Sequence, residues 1–187
     1  MSKLKKVSKY LHNAHYVYRL WYNRRKYPMS VRWKTVIRKE LFNNECFILK
    51  DGSVFSLCKD GDIEGLCKNR GKHAKNGKQL IQACIEAGGI KCTGIGEYLY
   101  YFYTNNGFTP SCWCKFDWKY APEDATCPEP LIFYYYTKNN RKAITYRDFL
   151  YQEPEKNYIE AYKKRDLQLK QYQENEHVCL LKFDIND

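Results

Sequence analysis

From Leu4 to Trp21 the apolar positions Leu4, Val7, Leu11, Ala14, Tyr18 and Trp21 recur at alternating steps of three and four, the spacing that lines one side of an α-helix. Most lysines and arginines of this stretch fall elsewhere on the circumference. The spacing therefore predicts a helix whose apolar stripe docks and whose basic face looks outward. Pro28 sets its end near Tyr27, because the residue before a proline is pushed out of the helical region. From residue 46 the pattern changes to short alternating runs. Cys46 to Lys50 and Ser53 to Lys59 flank Asp51-Gly52, a dipeptide suited to a tight hairpin turn. A third strand is expected from Ile63 to Lys68. A basic loop, Asn69 to Gly77, enters a helix with apolar Leu80, Ile81, Cys84, Ile85 and Ala87, which Gly88-Gly89 ends. A short strand from Ile90 to Thr93 follows, then a helix from Glu97 to Tyr103 closed by Asn105-Asn106-Gly107. Further strands are expected from Ser111 to Tyr120 and from Leu131 to Thr137. The C-terminal part reads as a charged helix, Tyr158 to Glu176, and an edge strand, Val178 to Phe183.

This order predicts an α/β (α+β) fold, a mixed sheet with flanking helices preceded by a basic N-terminal helical arm. The arm is residues 1–39 and the α/β domain residues 40–187. A length of 187 residues suits one domain plus an appendage. The 17% of aromatic residues is too rich for a disordered chain. The longest uncharged apolar run, Leu131 to Tyr136, falls far short of the roughly 20 residues of a bilayer span. No apolar segment of about 7–15 residues follows the basic start Met1 to Lys6, so no secretory signal is expected. The nine cysteines are odd in number and irregularly spaced, as free thiols in a reducing cytosol would be. Cys112-Trp113-Cys114 lacks the two-residue gap of zinc knuckles, and on a strand its thiols share a face. His12 and His15 stand one helical turn apart, but no neighbouring ligand completes a metal site. No metal is expected.

Charge changes the picture more than composition does. Residues 1–39 contain twelve Lys/Arg and no Asp or Glu; the first acid is Glu40. The other 20 basic residues stand against all 21 acidic ones in residues 40–187, so the whole excess of +11 belongs to the arm. Such segregation points to a phosphate backbone or an acidic protein surface as partner, because a merely solvated face mixes signs. Arg19, Tyr22, Arg24, Arg25, Lys26, Arg32, Trp33, Lys34, Arg38 and Lys39 interleave aromatics with cations, which would suit unpaired bases or a phosphodiester track. They are the candidate nucleic-acid contacts. No recognised DNA- or RNA-binding signature accompanies them. The junction of the basic loop with the next helix would present free N–H groups to an anion, with Lys72, Lys75 and Lys78 crowding the turn.

Leu66 to Phe108 resembles the GNAT (Gcn5-related) N-acetyltransferase superfamily, through a strand, a loop entering a helix at Gly77-Lys78-Gln79-Leu80-Ile81, and Leu99-Tyr100-Tyr101-Phe102-Tyr103 followed by Gly107-Phe108. The Gly-Gly ahead of a short strand and the aromatic strand after Gly-Phe are similar to small GNAT-like proteins of phages and mobile elements. The resemblance implies acetyl-CoA in a splay between adjacent strands. It places Leu66, Cys67 and Lys68 on the splayed strand, and Lys72, Lys75, Asn76, Gly77 and Lys78 in the pyrophosphate loop. It implies Tyr103 as the acid that protonates the leaving thiolate. The incoming ammonium needs a base, since only the neutral amine attacks, and Glu64 is the candidate. The family loop reads Gln/Arg-x-x-Gly-x-Gly/Ala. Anchored on Gly77, this chain has Lys72 first and Lys75 where the first glycine belongs, and Gly96 where many members have asparagine. Glycine lets backbone approach phosphate closely, which a long side chain obstructs.

Two functions follow. One is a phage-type GNAT-like protein whose basic arm binds nucleic acid or a nucleoprotein complex, as an inhibitor of a CRISPR-type RNA-guided nuclease would. The other is an acetyl-CoA-dependent N-acetyltransferase acting on an amine of a protein or small molecule. Either would work in the cytosol, that of a bacterial host if the chain is of phage origin.

Overall fold

A computed structural model of the chain describes residues 3–27, 41, 43–70, 76–117, 129–137 and 144–183, with backbone alone at 3–8 and 177–183. It is an α/β structure with a six-stranded mixed sheet and flanking helices. The elements are α1 (Lys3–Arg24), β1 (Glu45–Ile48), β2 (Val54–Leu57), β3 (Asp62–Cys67), α2 (Gly77–Glu86), β4 (Lys91–Ile95), α3 (Gly96–Thr104), β5 (Phe108–Cys114), β6 (Leu131–Tyr136), α4 (Tyr146–Leu150) and α5 (Tyr158–Phe183). The chain packs as two compact units, one from the elements up to Cys92 and one from those beginning at Thr93.

In the first unit the strands lie in the order β1-β2-β3-β4. β1, β2 and β3 pair antiparallel, and Asp62 and Ile63 of β3 pair parallel with Lys91 and Cys92 of β4. The β1–β2 turn is the expected one. Gly52 has φ +81° and Asp51 accepts from the Ser53 amide at 2.9 Å, an Asx bond that fixes the reversal. β3 carries a bulge. Val54 faces Cys67 while Ser56 faces Glu64, so Gly65 and Leu66 share the place of one residue, and Gly65 has φ +58°, which a glycine adopts without strain.

The helix of the arm forms where the spacing places it, but a different face docks. Leu11, Tyr18 and Trp21, from the expected stripe, are exposed, Ala14 is half-buried, and Leu4 and Val7 lie where only backbone is described. The buried positions are Asn13, Tyr16, Leu20 and Asn23, also at steps of three and four. Tyr16 and Leu20 join Leu41, Cys46, Val54 and Cys67 in one core cluster, with Val17, Tyr27 and Ile48 around it. The reason is polar. The seat offers backbone acceptors, and this face satisfies them: the His12 Nε2 donates to the Cys46 carbonyl at 2.8 Å, Tyr16 to that of Gly65 at 3.2 Å and Asn23 to that of Gly52 at 2.7 Å. A purely apolar stripe would leave such groups unmet.

In the second unit β4, β6 and β5 are neighbours in that order, and β5 pairs antiparallel with β6. A bulge between Pro110 and Cys112 lets β5 begin at Phe108, ahead of the expected start at Ser111, and puts the amide-less Pro110 at the irregularity. β5 ends at Cys114, so residues 115–117 do not continue it as expected, and residues 118–120 lie outside the described ones. Cys112 and Cys114 are both buried, against Phe133 and Ala161. α4, capped by Thr145, was not foreseen. The strand expected from Val178 to Phe183 is helix, the end of α5. No Gly or Pro separates it from Tyr158 to Glu176, and leucines extend a helix at little penalty. α5 buries Ala161, Arg165 and Leu169, four apart, with the Arg165 guanidinium 4.2 Å from the Tyr162 ring centroid and held by Asp166 at 3.0 Å.

Candidate nucleic-acid interface

α1 ends at Arg24, and a turn carries the chain through Arg25 and Lys26 to Tyr27. That turn meets the exit of β3. The Tyr27 hydroxyl donates to the Lys68 carbonyl at 3.1 Å, the Lys26 ammonium to Asn69 Oδ1 at 2.8 Å, and the Arg70 guanidinium to the Lys26 carbonyl at 3.1 Å. Asn69 is itself tied to the β1–β2 turn, its side-chain amide donating to the Asp51 carbonyl at 2.6 Å and its backbone N–H to the Ser53 hydroxyl at 3.0 Å. The corner is thus built by three polar links between the turn after α1 and residues 68–70, which Asn69 ties in turn to the β1–β2 turn.

Its cations are held against aromatic rings. The Arg25 guanidinium lies 4.6 Å from the Trp21 centroid, the Lys26 ammonium 4.3 Å from that of Tyr22, and Arg70 5.0 Å from that of Tyr27. Each such contact at an exposed site is worth about 0.5–1 kcal/mol. Arg19 donates to His15 at 3.2 Å, so that ring nitrogen accepts. Arg24 and Lys26 lie close enough to Cys67 to pull its thiol down, yet burial dominates and pushes it up to about 12.

No family model matches this chain, and neither a curated protein nor a solved structure does.

Of the expected nucleic-acid contacts, Arg19, Tyr22, Arg24, Arg25 and Lys26 are therefore gathered on α1 and its turn, while Arg32, Trp33, Lys34, Arg38 and Lys39 lie outside the described residues. The residues expected to hold acetyl-CoA are dispersed among several roles. Leu66, Cys67 and Lys68 close β3, with Cys67 buried in the core and the Lys68 carbonyl engaged by Tyr27. Lys72 and Lys75 lie outside the described residues. Asn76 caps α2, accepting from the Gln79 amide at 2.9 Å, Gly77 opens the helix and Lys78 is exposed. Glu64 accepts from the Asn44 amide at 3.0 Å, and its backbone carbonyl accepts from Ser56 at 3.1 Å. Burial, followed by the Glu64 charge, pushes the Cys58 thiol up to about 12. Tyr103 belongs to the second unit, where its buried ring packs on Phe102, Phe108 and Tyr134 with centroids 5.0–5.7 Å apart and closes over Gly94. Gly96, at φ +82°, sits against the Glu129 carboxylate where a Cβ would collide, so glycine is required there by packing.

An open cleft of about 630 Å³ in the first unit is lined by Lys9, His12, Glu45, Cys58, Lys59 and Gly88 among others, and by none of the residues expected at the cofactor. Among the described residues no group of three or more His, Cys, Asp or Glu could hold a metal ion, and no helix is long and apolar enough to cross a membrane. Asn69 and Arg70 were missed as partners of α1. They stood at the start of the basic loop, ahead of the part assigned to pyrophosphate, and only the fold brings them to Lys26 and Tyr27.

Proposed function

We propose that the end of α1 and the turn after it bind nucleic acid, alone or within a nucleoprotein complex. One observation carries this reading: Arg19 and Lys26 take their contacts from uncharged groups, a histidine for the first and the Tyr22 ring and the Asn69 amide for the second. Such partners orient a cation without cancelling its charge, which remains for a phosphate. The acid-free first 39 residues add to the same field. Inhibition of an RNA-guided nuclease is the role that the phage-type resemblance would attach to this surface. The test is fluorescence anisotropy of labelled oligonucleotides, single-stranded and duplex, at 50 mM salt. The combined substitution Arg19→Gln, Arg25→Gln and Lys26→Gln lowers affinity roughly tenfold or more if these groups contact phosphates. A variant that binds as the wild type does overturns the reading.

A second reading, N-acetyl transfer from acetyl-CoA, is favoured by a separate feature. β3, the strand assigned to the cofactor, pairs parallel with β4 and carries the Gly65–Leu66 bulge, and a helix N-terminus follows it at Asn76 and Gly77. Acetyl-CoA at hundreds of micromolar raises the melting temperature under this reading, because a ligand of the folded state must stabilise it, and Tyr103→Phe abolishes acetylation while leaving nucleic-acid binding intact. No shift in melting removes the reading.

A further inference from the structure

We propose that the ligand of this surface is an unpaired strand, its bases stacked on the rings of Tyr18, Trp21 and Tyr22 while its phosphates pass from Arg25 and Lys26 to Arg70 at the exit of β3. The proposal rests on the nucleic-acid reading and adds the strand state and a further contact residue. Positions 18, 21 and 22 share one side of α1, the side opposite the docked Tyr16, Leu20 and Asn23. There the Tyr18 ring lies 6.3 Å from that of Tyr22 with 21° between their planes, and 6.2 Å from that of Trp21. The three side chains are 42–55% exposed. Core packing does not account for large flat rings left in solvent on a helix whose other face supplies the core. Ring faces recognise other π-faces, and every base has one. A duplex keeps those faces inside its stack and meets such a helix through phosphates alone. An acidic protein surface would answer the cations but give the rings nothing flat to stack on.

The cations complete the match. Arg25 and Lys26 border the rings, and Arg70 extends the same charge beyond the helix. Arg70 is exposed, lies over Tyr27 and is fixed to the Lys26 carbonyl. Both of these groups are uncharged, so they orient the guanidinium without cancelling its charge. A strand can therefore place bases on the helix and continue its backbone onto the loop, which a helix acting alone does not offer.

The experiment compares a labelled 12-nucleotide single strand, its duplex and an abasic 12-mer of the same charge, with the full chain, the double variant Tyr18→Leu/Tyr22→Leu and Arg70→Gln. Circular dichroism melting checks that the variants fold, which their exposed positions favour. The single strand is expected to bind at least tenfold tighter than the abasic strand, given the worth of a stacked base. The tyrosine variant is expected to erase that difference. Arg70→Gln is expected to weaken the single strand and the abasic strand alike and to lower the salt slope by about 0.7. If the abasic strand and duplex bind as tightly as the single strand and the tyrosine variant changes nothing, stacking is overturned while the nucleic-acid reading stands. If no oligonucleotide binds at 50 mM salt, both are overturned.

Discussion

The Tyr16 hydroxyl donates to the Gly65 carbonyl and stands where a Cβ on residue 65 would be, while Gly65 itself holds φ +58°. Helix and bulge thus fix one another: the missing side chain makes room for the tyrosine, and the tyrosine satisfies a carbonyl at the break in the ladder. Tyr16→Phe is expected to lower stability by about 1 kcal/mol, one hydrogen bond. Gly65→Ala is expected to lower it by more than about 2 kcal/mol, since positive φ alone costs an alanine about 1–2 and the tyrosine must also move. Urea unfolding reads both as shifts of midpoint at constant slope.

Because Tyr16 and Leu20 are fully buried and lie in the first unit's core cluster, the arm is not a detachable handle. Leu20→Ala is expected to cost about 2–5 kcal/mol. Deleting residues 1–39 is expected to expose the amides of β1, β2 and β3 to hydrogen exchange. Undiminished protection there in the truncated chain would show that α1 is dispensable to the unit.

Lys91 is buried and holds the half-exposed Asp60 at 2.8 Å. Partial burial would raise the Asp60 carboxyl, but the hydrogen bond and charge of Lys91 outweigh it and hold it below its ordinary 3.8. A folded value below the unfolded one means that the unfolded chain binds more protons in acid. The stabilisation is complete well above pH 3.8 and is lost as pH falls through the folded value. Asp60→Asn is expected to lower stability at pH 7 by about 1 kcal/mol, a modest figure because one partner is exposed. It should also flatten the loss of stability below pH 5, as urea midpoints across pH would record.

How much of this was legible follows from particular residues. Turn chemistry at Asp51-Gly52 and the glycine stop at Gly88-Gly89 are local, so both were readable. The docking face of α1 was not, because His12, Tyr16 and Asn23 are chosen by carbonyls of β1, β3 and a turn remote in sequence. Periodicity weighs only apolarity and selected Leu11, Tyr18 and Trp21 instead. The candidate site was half legible. Its α1 cations follow from charge segregation, whereas Arg70 reaches Lys26 across 44 residues. The helix through Val178 to Phe183 was missed because a short apolar run fits strand and helix alike.

The cysteines give an independent check on the packing. Burial pushes the thiols of Cys46 and Cys114 up to about 11 and those of Cys58 and Cys67 up to about 12. Since the thiolate is the nucleophile, iodoacetamide at pH 8 is expected to leave these four unmodified in the native chain and to label them in denaturant, as peptide mass spectrometry would show. Rapid native labelling of Cys67 would mean that α1 does not cover it.

The most direct test of the account is the salt dependence of oligonucleotide binding by the full chain. A surface that gathers phosphates releases counterions, so the logarithm of affinity should fall linearly with the logarithm of salt. With about 6–10 phosphate contacts from the arm, affinity should drop by about three to five orders of magnitude between 50 and 200 mM. Arg19→Gln with Lys26→Gln should make the slope shallower by about 1.4 for a single strand. An affinity indifferent to salt, or a slope that both substitutions leave unchanged, would contradict the assignment of these cations to a nucleic acid.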